Sequence, residues 1–537
     1  MRAVPVILFA FACNGGDPEP AKVDTDTMAT SPISMCETNG WTERAFLTEG
    51  AFGPKRRDLA ADFTIPTTDG DWTFSENFSG CDNYVFIPDS LEISPLDDTP
   101  LLDSRKDLKE LINTGPENTH YFFLSAEDKK SVDTFAEGMV SRVEGALESL
   151  SEEKAIWWAD RLHVVDTGAP KLKNWVTDAM TSSGEGFAID RFQHLRMFGG
   201  LADITRPSNE LDAAGYWPWE ANLAYVGHEA LYYNYESDRQ DMLDEVDWTV
   251  RYLFVDEYLA GSPKTHIDVD FPDAATMATF DTLLVDLTHR CDTDSQEFGN
   301  CDAWDAVQNV YVCRPDDPDT CDMRLARYIT TYHREGRWLA DASQLLPWVS
   351  AGGTIRLYVG GSRHGHYNTI RLLMANTGKG TVPFALEELW HGGSWSESYN
   401  EEHPPIVVNV PADATKVYLT VLLSGHGMSS EHNCAEFCDH QHTFSVGGGS
   451  WTADHPNMGD QQGCLKQIDK GTVPNQNGTW WYERSSWCPG KQVDPWVWDI
   501  TDHVTPGQEA TLSYTTNYND PAFGGSINLD SQITYHR

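Results

Sequence analysis

The stretch Asn433-Cys434-Ala435-Glu436-Phe437-Cys438, which follows Ser424-Gly425-His426-Gly427, carries the most information about this chain. If Cys434 and Cys438 are joined, the ring between them is so short that its backbone can hardly move. Glu436 lies inside this ring, so its carboxylate is held in one direction. A carboxylate held in this way indicates a role in chemistry.

Two other segments place a cysteine beside charged and aromatic side chains. One is Cys301-Asp302-Ala303-Trp304-Asp305, which leads into a strand-like run over residues 307–312. The other is Arg484-Ser485-Ser486-Trp487-Cys488-Pro489-Gly490, which adds a cation and an indole ring. In residue type and order, the three segments resemble the peptide-N-glycosidase F family over roughly residues 250–537.

This resemblance implies an all-β C-terminal half with an amidase activity. The family fold is a pair of antiparallel jelly-roll sandwiches, which would divide here into residues 250–398 and 399–537. Its activity is hydrolysis of the amide bond between asparagine and the innermost GlcNAc of an N-linked glycan, without a cofactor, leaving aspartate. N-linked glycoproteins or glycopeptides are therefore the expected substrates.

The motifs also imply a role for three residues at the interface of the two sandwiches. Asp305 takes the position of the principal catalytic aspartate and would engage the scissile linkage. Glu436 would hold water or substrate, and Arg484 would stabilise the carbonyl oxygen or a carboxylate.

Aromatic side chains near the motifs are candidates for sugar binding. Trp304, Trp487 and His426 are the predicted substrate-binding residues, and Trp480 and Trp481 could also stack on a sugar ring. Each of these tryptophans could instead belong to the core of a sandwich.

One position departs from the family. A further glutamate follows a strand in the family, and the matching position here, after the run 355–359, is Gly360. A catalytically inactive, glycan-binding surface protein is therefore a second hypothesis.

Two histidine pairs support a third hypothesis. His364 with His366, and His440 with His442, each place two imidazoles on one face of a strand, as a metal requires. The paired jelly rolls resemble those of copper-dependent peptidylglycine monooxygenases, in which a methionine such as Met428 would complete the site. Hydrogen-bonded structural histidines are the alternative interpretation.

The cysteines indicate an oxidising compartment. Apart from Cys13 there are ten, and no C-x2-C pair is present to favour the alternative of a zinc site. Their positions favour five disulfides, although the sequence alone does not fix the pairing: Cys36–Cys81, Cys291–Cys301, Cys313–Cys321, Cys434–Cys438 and Cys464–Cys488.

The N-terminal residues predict export. Residues 1–13 resemble a lipoprotein signal with Cys13 as the lipidated residue, and plain secretion is the alternative. Residues 14–40 are polar and are predicted to be a disordered tether. The expected location is the cell surface, the outer membrane or the medium, with membrane contact only through the lipid. With a net charge of −44, nucleic acid and anionic lipid surfaces are poor partners, and no nucleic acid partner is expected.

Residues 41–205 predict an α/β domain. Strand-like runs at 62–66, 84–88, 121–124 and 186–191 alternate with an amphipathic helix between Ser125 and Glu152, and this order resembles a thioredoxin-like domain. No thiol stands at Asp89-Ser90-Leu91-Glu92, where such domains carry their redox cysteine, so we predict a redox-inert spacer or binding module. Cys81 as a displaced active thiol is the alternative, and residues 206–249 are assigned to a connecting segment.

The remainder predicts antiparallel sandwiches, because short β-rich runs recur between Gly, Pro and Asp residues. The predicted strands are 267–269, 282–287, 307–312, 355–359, 406–410 and 417–423.

Overall fold

The computed structural model describes residues 34–537 except 90–91, 95–96, 101–107, 127–130, 184–185, 198–201, 204–219, 222, 262–263, 293–300, 362–363, 428–433, 455–457, 459, 461, 477 and 519–522. The predicted signal, Cys13, Met428 and most of the predicted tether lie outside these residues. The end of that tether is helical rather than disordered: Ser34 caps the helix Met35–Asn39 by accepting from the Glu37 backbone N–H. Cys36 in this helix is bonded to Cys81.

The chain up to residue 244 is an α/β unit. Its strands are β1 Thr64–Thr67, β2 Gly70–Thr73, β3 Asn83–Pro88, β4 Glu92–Ser94, β5 Asp97–Pro100, β6 Thr119–Leu124, β7 Leu162–Val164, β8 Phe187–Ile189, β9 Leu195–Met197, β10 Ala202–Asp203 and β11 Glu220–Ala221. Its helices are α1 Met35–Asn39, α2 Phe74–Asn77, α3 Leu108–Thr114, α4 Ser131–Glu148, α5 Glu152–Ala159, α6 Trp175–Ser183 and α7 Ala224–Asp244, with a 3-10 helix at Ala169–Lys171.

A mixed sheet in the order β7-β6-β3-β8-β9 forms the centre of this unit. Strands β3, β6 and β7 run parallel, and β8 and β9 continue the sheet antiparallel. All positions of β3 and β6 are buried, as expected for central strands covered on both faces. The helix expected between Ser125 and Glu152 is α4, whereas the thioredoxin-like identity of residues 41–205 stays a prediction.

The predicted connecting segment contains α7, a helix of 21 residues. Tyr225, Val226, Ala230 and Tyr233 on this helix are buried, so α7 is packed into the protein. It is therefore a core element of the α/β unit, in which it packs against α3 and β3.

Two sandwiches follow, each made of two four-stranded antiparallel sheets. The first has the sheets β12-β19-β14-β17 and β13-β18-β15-β16, and its strands are β12 Thr249–Gly261, β13 Lys264–Asp273, β14 Thr282–Arg290, β15 Val307–Val312, β16 Met323–Ile329, β17 Gly336–Asp341, β18 Gly352–Gly361 and β19 His364–Ala375. Helix α8 (Ala274–Met277) and a 3-10 helix (Ser343–Val349) lie between these strands.

The second sandwich has the sheets β20-β27-β22-β25 and β21-β26-β23-β24. Its strands are β20 Pro383–Ser394, β21 Ile406–Asn409, β22 Lys416–His426, β23 His440–Val446, β24 Gly449–Ala453, β25 Trp496–Asp499, β26 Glu509–Tyr518 and β27 Ser526–His536, with α9 Cys434–Phe437 and 3-10 helices at Leu465–Lys470 and Thr501–His503. Because β20 pairs with β27, the second sandwich begins at Pro383, earlier than the predicted residue 399.

A buried arginine of the first sandwich forms hydrogen bonds to the second. Arg327 on β16 donates to Ser424 Oγ at 2.7 Å and to the Asn528 carbonyl at 2.9 Å, both in the second sandwich. It also contacts Asn309 Oδ1 on β15 at 3.3 Å. These bonds fix the end of β22, from which the candidate site begins.

Candidate active site

The structure brings Asp305, Glu436 and Arg484 together between the sandwiches. Asp305 lies just before β15 in the first sandwich, and the other two residues belong to the second. An Arg484 terminal nitrogen is 3.4 Å from Asp305 Oδ2, and Arg484 Nε is 3.8 Å from Glu436 Oε1. The guanidinium thus lies between two carboxylates that are 131 residues apart in sequence.

The short cysteine ring positions Glu436 as its spacing suggests. Cys434 and Cys438 are joined, and the backbone between them forms the single helical turn α9. Glu436 Oε2 accepts from the Gly427 backbone N–H at 2.8 Å, and its carbonyl accepts from the Ser485 N–H at 2.9 Å. The carboxylate is therefore held both by its own ring and by the end of β22.

Arg484 is fixed just as closely. Its guanidinium donates to the carbonyls of Thr479 at 2.7 Å and Tyr482 at 2.6 Å. Ser486 adopts a positive φ of 65°, which turns the chain so that Trp487 packs 5.0 Å from the guanidinium carbon. With its side chain only 3% exposed, Arg484 contacts the carboxylates more than solvent.

Burial sets the protonation of the two acids. Desolvation raises the pKa of Asp305, and the charge of Arg484 and a hydrogen bond from Tyr332 lower it in part. Desolvation also raises the pKa of Glu436 to about 7, against the opposing effects of the Gly427 N–H and Arg484. A carboxyl that titrates near neutrality can accept and release a proton under physiological conditions.

Two site residues were missed by the sequence interpretation. The Tyr332 hydroxyl lies 3.3 Å from Arg484 and hydrogen-bonds Asp305, and Thr479 Oγ1 accepts from Arg484 at 3.2 Å. Neither residue belongs to a motif, and Tyr332 precedes Arg484 by 152 positions, so no local signal could have found it.

The predicted substrate-binding residues differ in what they can do. Trp304 is 54% exposed beside Asp305 and offers ring surface to a ligand. Trp487 is only 5% exposed, stacks on His426 at 5.0 Å and donates from its indole N–H to the Gly425 carbonyl, so it supports the site rather than forming an open platform. Trp480 and Trp481 are buried in the core.

His426 is held as a neutral imidazole. Burial lowers its pKa to about 3, with further lowering from the charges of Arg327, Arg324 and Arg484. Its Nε2 lies 2.7 Å from Ser424 Oγ. A neutral ring in this place can exchange hydrogen bonds with a ligand, but it carries no charge at neutral pH.

The copper interpretation of the histidines is not supported. His440 and His442 are buried and hydrogen-bonded to each other at 2.8 Å, and His442 also bonds the Tyr514 hydroxyl at 2.6 Å. In the first sandwich, His366 is buried and stacks on His289. The His364 side chain lies outside the part of the chain that the structure describes. Within the described ranges, the one cluster with metal-ligand spacing is His266 with Cys313 and Cys321, whose cysteines are joined to each other.

All ten cysteines in the described part of the chain form disulfides. The five pairs are those that the spacing favoured: Cys36–Cys81, Cys291–Cys301, Cys313–Cys321, Cys434–Cys438 and Cys464–Cys488.

The space beside Gly360 is filled by the ring of Tyr358. A Cβ added to Gly360 would approach the Tyr358 ring within 2.5 Å, so this ring fills the space that a longer side chain would need. Tyr358 also lines a cleft of about 450 Å³ between the sandwiches, together with Tyr311, Arg324 and Ser526. Ser526 pairs with His426, and the cleft therefore adjoins the candidate site.

Residues 394–533 match the family model described as peptide-N-glycosidase F, C terminal. A comparison with curated proteins finds no match. The chain is similar to the crystal structure of a peptide-N(4)-(N-acetyl-β-D-glucosaminyl)asparagine amidase, with 17% identity over 54% of this chain and 96% of that one and a TM-score of 0.44. For PNGase F from Flavobacterium meningosepticum, a glycosylasparaginase, the identity is 17% over 54% and 96%, with a TM-score of 0.41. For PNGF-II the identity is 14% over 56% and 67%, also with a TM-score of 0.41. Through residues 394–533, the chain is thus related to the peptide-N-glycosidase F family.

Proposed function

We propose that this protein hydrolyses the amide bond that links an N-glycan to asparagine. The observation that carries the proposal is the placement of Asp305 and Glu436 on either side of Arg484 at the junction of the two sandwiches. Both carboxyls have a pKa raised by burial, which suits them to proton transfer and to holding a reacting group.

Each residue has a distinct role in the proposed reaction. Asp305 engages the asparagine–sugar linkage, and Glu436 orients the water whose oxygen attacks the amide carbon. The carbon–nitrogen bond then breaks, and the proton that Glu436 accepts from the water passes to the leaving nitrogen. The nitrogen departs with the sugar as a glycosylamine, and the side chain becomes aspartate. Arg484 is bound to backbone carbonyls and faces both acids, so we assign it to the carboxylates rather than to the carbonyl oxygen.

The adjoining cleft and Trp304 provide room and surface for a glycan. Aromatic rings with a few charged groups form a surface that can hold sugars, and the cleft offers Tyr311, Tyr358 and Arg324. We therefore propose N-linked glycoproteins or glycopeptides as substrates. The net charge of −44 argues against a nucleic acid partner.

We also propose that the protein is exported, as a lipoprotein anchored at Cys13 or in secreted form. Five disulfides support an oxidising compartment. Among the described residues, no helix has the length and apolar character needed to cross a bilayer.

Deglycosylation in heavy-oxygen water tests the proposed activity. With a denatured N-glycoprotein as substrate, former glycosylation sites should appear as aspartate that carries one heavy oxygen, because the attacking oxygen comes from water. Peptides from several glycoprotein classes that stay glycosylated and unlabelled would contradict the proposal. If such glycopeptides were instead retained by the immobilised protein, the glycan-binding hypothesis suggested by Gly360 would take its place.

The α/β unit is proposed to be thioredoxin-like and redox-inert. Cys36 and Cys81, its only cysteines in the described residues, are bonded to each other and buried. We therefore expect no insulin reduction and no peroxide consumption by the oxidised, folded protein. Turnover in either assay that disappears in Cys81→Ser would show that Cys81 is an active thiol after all.

A further inference from the structure

Glu229 on α7 is a fully buried carboxylate that joins two loops of the sandwiches. Its two oxygens accept from the Arg334 guanidinium at 2.7 and 2.6 Å. The Asn475 side-chain amide donates to the same carboxylate at 2.7 Å and to the Tyr225 carbonyl of α7 at 2.8 Å. Arg334 belongs to the first sandwich and Asn475 to the second, so α7 holds both sandwiches through one side chain.

Further hydrogen bonds connect Arg334 and Asn475 to the candidate site. The Arg334 carbonyl accepts from Thr331, in a tight turn that also contains Tyr332. Gln476, next to Asn475, accepts from the Tyr332 backbone N–H at 2.9 Å. The Tyr332 hydroxyl contacts Arg484 at 3.3 Å, which places three linked residues between Glu229 and the guanidinium.

We propose that α7 is part of the active-site scaffold and that Glu229 is a positioning residue for Tyr332 and Arg484, acting through Arg334 and Asn475. The proposal rests on the function assigned to Arg484 above, and it gives the N-terminal part of the protein a role beyond that of a spacer. A bidentate pair between buried charges has a fixed direction. Replacing the carboxylate removes the anion that faces the Arg334 charge, so both loops lose their ionic link to α7 while Arg334 keeps its bond to the Pro474 carbonyl.

Displacement of Arg484 has two measurable consequences. A misplacement of about 1 Å at a reacting centre can lower the rate about a hundredfold. In addition, the Arg484 charge lowers the pKa of both Asp305 and Glu436, so its displacement raises these values. The acidic limb of the pH–rate profile then moves to higher pH.

Glu236 provides a matched control on the same helix. It is also a buried carboxylate with arginine partners, but it faces Arg196, Arg57 and Arg337, at 3.4 Å from Arg57 and 3.6 Å from Arg337. Arg57 and Arg196 belong to the α/β unit, and Arg337 lies on β17 of the first sandwich. Glu236→Gln therefore measures how much stability is lost with a buried ion pair on α7, while the contacts of Glu229 with Arg334 and Asn475 stay in place.

Kinetics and hydrogen–deuterium exchange of the full-length variants test the proposal. Glu229→Gln should lower kcat about tenfold or more, shift the acidic limb upward and speed exchange over residues 473–487, whereas Glu229→Asp should restore part of each. Glu236→Gln should lower the melting temperature and leave the pH profile and this exchange unchanged. Exchange is measured without substrate, so this readout is independent of whether glycan release occurs.

A second variant covers a failure of Glu229→Gln to fold. Asn475 has a positive φ of 50°, which glycine adopts readily, so Asn475→Gly removes the amide link with little backbone strain. It should produce the same faster exchange over residues 473–487 and the same shift of the acidic limb. If Glu229→Gln or Asn475→Gly changed only the melting temperature, as Glu236→Gln does, the positioning role of Glu229 would be wrong.

Discussion

Asp305→Asn should lower glycan release by at least about a hundredfold and leave the fold intact. The substitution keeps the shape of the side chain and removes the charge that faces Arg484 at 3.4 Å. Glu436 still faces the guanidinium from the other side, so above about pH 7 the arginine keeps an anionic partner. The rate should be measured on a glycopeptide by mass analysis, and the melting temperature by circular dichroism.

Asp302→Asn is the control for this variant. Asp302 lies three residues earlier in the same cysteine-flanked segment, and its backbone carbonyl, which the substitution keeps, accepts from the His333 N–H. Its activity should stay within about twofold of the parent protein, as expected for a site without catalytic contacts. An Asp305→Asn protein that keeps most of its activity would remove Asp305 from the mechanism.

The sequence predicted those parts of the site whose signals are local. Two cysteines four residues apart bracket Glu436, and the ring they form does hold that carboxylate. The β-rich runs correspond to strands because their residue types and the turn residues between them are specific to short strands. The signal for Arg484 was likewise a short motif, with Trp487 three residues later.

Long-range partners explain what could not be predicted. Tyr332 reaches Arg484 only because the turn after β16 and the loop before β25 meet at the sandwich junction. Glu229 and Arg334 are 105 residues apart, and a charged residue in a sequence looks the same whether it is solvated or buried against a partner. The boundary at Pro383 was missed for a similar reason, since β20 pairs with the last strand of the chain rather than with its neighbours.

The pH dependence of glycan release should follow Glu436. Its pKa of about 7 means that the carboxylate form, which accepts from water, is lost as the pH falls below neutrality. We expect the rate to rise about tenfold per pH unit up to about pH 7 and then to level off. Glu436→Gln should remove this limb and lower the plateau by about a hundredfold.

Glu436 should also affect stability, with a sign that distinguishes it from a structural ion pair. Its folded-state pKa lies above the ordinary value of 4.5, so the folded state binds the proton more tightly and loses stability as the pH rises from about 4.5 to about 7. The full loss is about 3 kcal/mol. Glutamine does not titrate, and the melting temperature of Glu436→Gln relative to the parent protein should therefore rise across this pH range. A difference that stays constant between pH 4.5 and 8, together with a pH–rate profile that keeps its acidic limb in the variant, would show that another group titrates in the site.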